Sequence, residues 1–175
     1  MALTRAFELV DNTLYDLKSF DCGKPEMNEF LARYAVKHMK LGLSRTWVLP
    51  ITDEEKQQES KKSKIAAYYT LASSTVTREE IPTGKSLPRY PVPAVMLARL
   101  AVDQDLKGLH LGEKTLITSL RKSVELADGG LPAFCVILDV LDEEALSFYQ
   151  RYEIFEPFTD DPMRLFVPIH VVREI

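Results

Sequence analysis

Three groups of residues in this sequence have types and spacings that do chemistry. The first is the run from Asp105 to Gly112, DLKGLHLG, with two glycines between a strand pattern and a helix pattern. A strand passing through a short loop into a helix leaves the first helical amides without intrahelical partners and sets the positive end of the helix dipole over one spot. Such a seat takes an anion, most often phosphate, although an ordinary strand-to-helix turn has the same appearance. The second group is a helix face on which Arg33, Lys37 and Lys40 follow one another by about one turn, either a surface that tracks phosphates or a solvated helix face. The third is Arg99, a charge within a strand, which needs either an ion-pair partner or a substrate. His110 reads as a loop residue offering its backbone, not an acid or base.

The elements that must position these groups follow from periodicity. Leu97, Leu100 and Val102 read as the buried positions of the strand entering the loop, and Leu111, Thr115, Ile117 and Leu120 begin the helix leaving it. That helix should run to about Ala127 and stop at Asp128, Gly129 and Gly130. Upstream, Phe7 to Val10 reads as a strand that ends at the turn pair Asp11 and Asn12. Pro25 opens a helix in which Met27, Phe30, Leu31, Tyr34, Ala35 and His38 recur at helical spacing, and Gly42 ends it. RTWVLPI, 45–51, and IAAYYTLASSTV, 65–76, read as strands. The charged run between them, 52–64, mixes Lys61, Lys62 and Lys64 with Glu54, Glu55 and Glu59 and is best taken as a solvated loop. Four prolines, Pro82, Pro88, Pro91 and Pro93, make 81–93 an extended loop. Downstream, the apolar run AFCVILDV, 133–140, suggests a strand covered on both faces. Asp142 can cap a helix over 143–152, and 163–172 is again β-like. The order describes a mixed α/β layer.

At 175 residues the chain has the size of one domain, 1–175, and its 46% apolar and 27% charged residues are those of a soluble globule. Cys22 and Cys135 match no metal or disulfide spacing and suit a reducing compartment. The first residues lack a secretion signal and no window has the ~20 apolar residues of a membrane span, so a cytoplasmic protein without membrane contact is expected. A net charge of -4 argues against wholesale wrapping of nucleic acid but leaves room for a local basic patch.

The element order and three motifs resemble the GNAT-type N-acetyltransferases over nearly the whole chain. Their phosphate loop reads Gln or Arg, two residues, Gly, one residue, Gly or Ala. Lys107, Gly108, Leu109, His110, Leu111 and Gly112 fall on it, with Lys107 in place of Gln or Arg and His110 in place of the first signature glycine. The second motif is DEEALSFYQRYEI, 142–154, which is similar to the family's Asn or Asp, two residues, Ala, three residues, Tyr, with Glu153 where a glycine is usual. The third is narrower. FDCG at 20–23, SRT at 44–46, AYYTLA at 67–72 and LARLAVD at 97–103 resemble, in the same order, the GNAT-type toxins of bacterial toxin–antitoxin pairs.

The resemblance implies a single-domain GNAT fold, a mixed and mostly antiparallel central sheet flanked by helices. It implies an acetyltransferase that moves acetyl from acetyl-CoA, without a metal, to the α-amino group of aminoacyl-tRNA and so blocks translation. On its motifs the loop from Lys107 to Glu113 cradles the pyrophosphate, and Leu100, Ala101 and Val102 meet the pantetheine arm. Asp142, Ala145 and Phe148 complete the cofactor side, and Tyr149 is the general acid that protonates the departing thiolate. A phenol suits that role because it is a neutral donor at pH 7; the bland alternative is a core aromatic beside Phe148. Arg33, Lys37, Lys40 and Arg99 would face tRNA. The group also implies a homodimer held by a ribbon-helix-helix antitoxin, with DNA reached only through that antitoxin. Two other functions remain open on the residues: acetylation of a protein N-terminus or small amine, and a degenerate GNAT domain serving as a binding module.

Overall fold

The computed structural model describes residues 2–3, 6–52, 62–82 and 86–175. Of the charged run, Glu54, Glu55, Glu59 and Lys61 lie outside the described residues. The chain divides into two compact units, Met1–Leu71 with Arg99–Leu116, and Ala72–Ala98 with Ile117–Ile175. Together their elements give the mixed α/β architecture, mostly antiparallel, that the resemblance implies.

In the first unit β4 (Arg45–Thr52) pairs antiparallel with β1 (Ala2–Leu3), β2 (Glu8–Leu9) and β5 (Ser63–Val76), while β3 (Tyr15–Asp16) joins β5 in parallel. Seven consecutive β5 residues, Ile65 to Leu71, are buried, as in a strand covered on both faces. Alternation along β5 sends its adjacent tyrosines to different neighbours. Tyr69 stacks on Trp47 at 5.2 Å, whereas Tyr68 meets Phe20 edge-on at 5.4 Å in the cluster beneath the first helix. Thr46 and Thr70, paired in register and both sealed, satisfy each other through their hydroxyls at 2.7 Å.

The helix opened by Pro25 is not uniform. It runs as α1 (Pro25–Glu29), widens into a π turn over Phe30–Tyr34, and resumes as α2 (Ala35–Lys40). The Tyr68 hydroxyl donates to the Met27 carbonyl at 2.7 Å, drawing on the helical ladder just ahead of that turn. Gly42, at φ +77, ends the helix in the left-handed region.

In the second unit β7 (Cys135–Asp139) lies parallel to β6 (Val92–Val102) at Ala94–Met96 and antiparallel to β9 (Arg164–Pro168). The short β8 (Glu156–Pro157) closes this edge against β9. Val92, Ala94, Ile137, Phe158 and Phe166 form its core. Helix α3 (Leu111–Asp128) runs from the first unit into the second, and α4 (Glu143–Gln150) follows β7. Among the described residues no helix is long and apolar enough to cross a membrane.

Three expectations need correction. β6 begins at Val92, inside the stretch read as a proline loop; Pro93 is tolerated because its exposed position needs no donor, and its carbonyl accepts from the Phe134 amide. Along β6 the buried residues are Ala94, Leu97 and Ala101 besides Val92, so Leu100 and Val102 are only half-buried. The β-like tail divides into β9 and one helical turn, α5 (Ile169–Val172), which follows Pro168 and keeps Ile169 and Val172 buried.

Candidate functional site

The glycine loop belongs wholly to the first unit. Asp103 opens it: its carboxylate accepts from the Asp105 amide at 2.9 Å and starts a 3-10 turn over Gln104–Leu106. Lys107 is extended, Gly108 has φ +92, and His110 has φ +57 as the one described non-glycine residue in the left-handed region. A histidine tolerates that conformation better than most side chains, so the loop keeps its turn without the family glycine. The His110 carbonyl accepts from Lys114 at 3.1 Å and begins α3. Lys107 to His110 are exposed, and a Cβ at Gly108 would meet nothing within 4 Å. Among the described residues nothing accepts from the amides of Gly108, Leu109, His110, Leu111, Gly112 or Glu113. This is an open seat of backbone donors at the head of an 18-residue helix. Leu111 fixes its far side by packing with Leu49, Ile51 and Ala66, and Val102 and Leu106 join that cluster.

The basic face also lies in the first unit, and the structure brings its members together. Arg33, Lys37 and Lys40 line one hollow of about 330 Å³, floored by Leu17, Leu31 and Val36. Arg33 forms an exposed pair with Glu29 at 3.7 Å, an i,i+4 contact worth at most a few tenths of a kcal/mol. The Arg99 guanidinium sits 4.3 Å from the centroid of Phe30, in the π turn. Among the described residues no carboxylate pairs with it, and its face rests on the Phe30 ring.

Tyr149 belongs to the second unit together with Asp142, Ala145 and Phe148. Asp142 caps α4 as expected, its carboxylate accepting from the Ala145 amide at 2.9 Å. Tyr149 is 8% exposed, with its ring edge-on to Phe148 at 5.1 Å and to Phe155 at 5.7 Å. Its hydroxyl is not among the sealed polar atoms and has no hydrogen-bond partner among the described residues. Burial pushes the phenol well above its ordinary pKa, so it holds its proton across the neutral range.

Sequence reasoning missed the residues that hold the loop's near end. Asp21 Oδ1 accepts from the Gly23 amide at 2.8 Å and from Asn28 Nδ2 at 2.9 Å, while its Oδ2 accepts from Gln104 Nε2 at 3.0 Å. The available signal was the Asp-x-Gly turn inside FDCG, which names a turn but not its distant partner.

Comparison with known proteins gives two kinds of match. No family model matches the chain. A tRNA-acetylating toxin of Mycobacterium tuberculosis (strain ATCC 25618 / H37Rv) is 30% identical over 163 residues, covering 91% of this chain and 90% of the toxin. The crystal structure of a tyrosine-to-phenylalanine mutant of KacT superposes with a TM-score of 0.86 at 25% identity over 99% of both chains. AtaT complexed with acetyl-methionyl-tRNAfMet superposes with a TM-score of 0.82, also at 25% identity, over 97% of both chains.

Proposed function

The chain belongs to the GNAT-type tRNA-acetylating toxins, and from that premise we propose that it transfers acetyl from acetyl-CoA to the α-amino group of aminoacyl-tRNA and so blocks translation. The observation that carries the assignment to particular residues is the loop 107–113. Its unanswered amides and the free approach at Gly108 suit a pyrophosphate, and Lys107 adds a charge. Leu100, Ala101 and Val102 at the end of β6 offer backbone groups to the pantetheine arm, and Asp142, Ala145 and Phe148 build the helix that carries Tyr149. The whole chain, 1–175, acts as one acetyltransferase domain in the cytoplasm, where charged tRNA is found.

The chemistry asks little of the protein beyond placement. An α-amino group has a pKa near ~7.7–8.0, so much of it is already a free amine at neutral pH and a strong base is unnecessary. Its nitrogen attacks the thioester carbonyl, the C–S bond breaks, and the phenol of Tyr149 gives its proton to the departing sulfur. The nitrogen's surplus proton leaves to water, and water returns a proton to the phenolate oxygen, which restores the acid for the next turnover. Binding both substrates in alignment supplies most of the rate. Arg33, Lys37, Lys40 and Arg99 take the tRNA phosphates, and the acetyl-methionyl-tRNA held by AtaT supports the same substrate class here. The resemblance further implies that the chain works as a homodimer restrained by a ribbon-helix-helix antitoxin and meets DNA only through it.

The test is a binding and turnover pair. Calorimetry on the purified chain should find saturable acetyl-CoA binding, and the bound chain should transfer label to charged tRNA. Absence of acetyl-CoA binding would leave only a binding module.

A further inference from the structure

The open loop poses a positioning problem. Residues 107–110 are exposed and lean on little, so the direction of their amides is set at the two ends of the loop. Leu111 secures the far end by burial. The near end is secured by hydrogen bonds that converge from the turn ahead of α1. Gln104 is held twice by Asp21: its amide donates to the Asp21 carbonyl at 2.9 Å, and its Nε2 donates to Asp21 Oδ2 at 3.0 Å. The Asp21 amide returns a longer bond to Asp103 Oδ2 at 3.4 Å, and the Asp103 amide donates to Ala66 on β5 at 2.8 Å.

The same Asp21 carboxylate also holds the helix side. Its Oδ1 takes Gly23 and Asn28, and Asn28 Oδ1 in turn accepts from the Cys22 amide at 2.9 Å. Gly23 is needed on two grounds. Its φ is +86, and a Cβ there would come within 3.2 Å of Gln104 Oε1. One carboxylate therefore ties the start of the helix that bears the basic face to the entry of the phosphate loop, with both of its oxygens used.

We infer that the Asp21–Gln104 link is a positioning device that holds the acetyl-CoA loop in register with the helix that begins at Pro25. The inference rests on the functional reading above. Asp21 and Gln104 touch neither substrate in this account; they set the angle at which the amides of 108–113 are presented. Loss of the link loosens the loop and weakens acetyl-CoA binding, while chemistry on bound substrate is largely kept.

The test uses the full chain and acetyl-CoA. Gln104→Ala removes the side-chain bond without changing charge and should raise Kd and KM for acetyl-CoA about 3–10-fold, the worth of one hydrogen bond, with kcat within about 2-fold. Gln104→Glu sets two carboxylates against each other and should weaken binding at least as much. Adding Asp21→Asn to Gln104→Glu restores an amide facing a carboxylate with the polarity reversed and keeps the net charge of the native chain. This double variant should return to within about 2-fold of wild type. Wild-type affinity in both single variants, or no recovery in the double variant, overturns the positioning role. Failure of the wild-type chain itself to bind acetyl-CoA overturns the functional reading, and the positioning role falls with it.

Discussion

The proposed acid role of Tyr149 can be tested at the side chain itself. Its ring is anchored between Phe148 and Phe155 while its hydroxyl stays open, and burial holds the proton on the oxygen. Tyr149→Phe keeps the ring contacts, so acetyl-CoA should bind within about 2-fold of wild type while transfer falls by about 10²-fold or more. Equal turnover in the two proteins would remove the acid role. The pH profile makes a separate statement. With the phenol's pKa raised, ionisation of Tyr149 removes no activity below about pH 10. Turnover at low substrate should therefore climb with an apparent pKa near ~7.7–8.0, that of the substrate amine, and then stay level; a fall between about pH 8 and 9 would assign the acid elsewhere. The cations make a third. Arg33→Ala or Lys37→Glu should weaken tRNA binding uniformly across tRNA species and lower its salt slope by about 1 for each phosphate no longer neutralised, leaving acetyl-CoA affinity unchanged. A small-amine substrate would not register either change.

At the scale of elements, the loop and the head of α3 were legible because they depend on local rules: glycine at a positive φ, an N-terminal seat, and the spacing of Leu111, Thr115 and Leu120, all buried in the fold. His110 stands where the family has a glycine, and the backbone accommodates it at φ +57. His110→Gly should therefore leave acetyl-CoA affinity within about 3-fold, whereas the β-branched His110→Val meets a strain of about 1–3 kcal/mol and should weaken binding about 10-fold or more. Equal affinities in these two variants would mean that the loop is not held in the left-handed turn. The π turn was not legible, because no local signal in Phe30–Tyr34 marks it and Tyr68, which reaches the Met27 carbonyl just ahead of it, lies far away in sequence. The start of β6 was hidden for a similar reason: Pro91 and Pro93 carry a loop signal locally, and pairing with distant strands makes the segment a strand. In the tail, the run through Ile169 to Val172 has β-favouring residues, yet it forms one helical turn that keeps Ile169 and Val172 buried.

For the molecule as a whole, element order conveyed the architecture and the family, while partnerships across long sequence distances stayed hidden. Asp21 and Gln104 are 83 residues apart, and nothing in either neighbourhood announces the other. Arg99 illustrates the same limit, since nothing in its sequence context announces the Phe30 ring beneath it. The proposed homodimer is read directly by sedimentation, where the 19.9 kDa chain should behave with about twice its mass. The central claim is acetylation of the amino acid on tRNA. Its most direct measurement is incubation of the chain with labelled acetyl-CoA and charged total tRNA, followed by alkaline release and identification of the labelled product. Label is expected on the α-amino group of amino acids released from tRNA, and it should be lost when the tRNA is deacylated beforehand. Label confined to protein N-termini or free amines, with charged tRNA untouched, would contradict it.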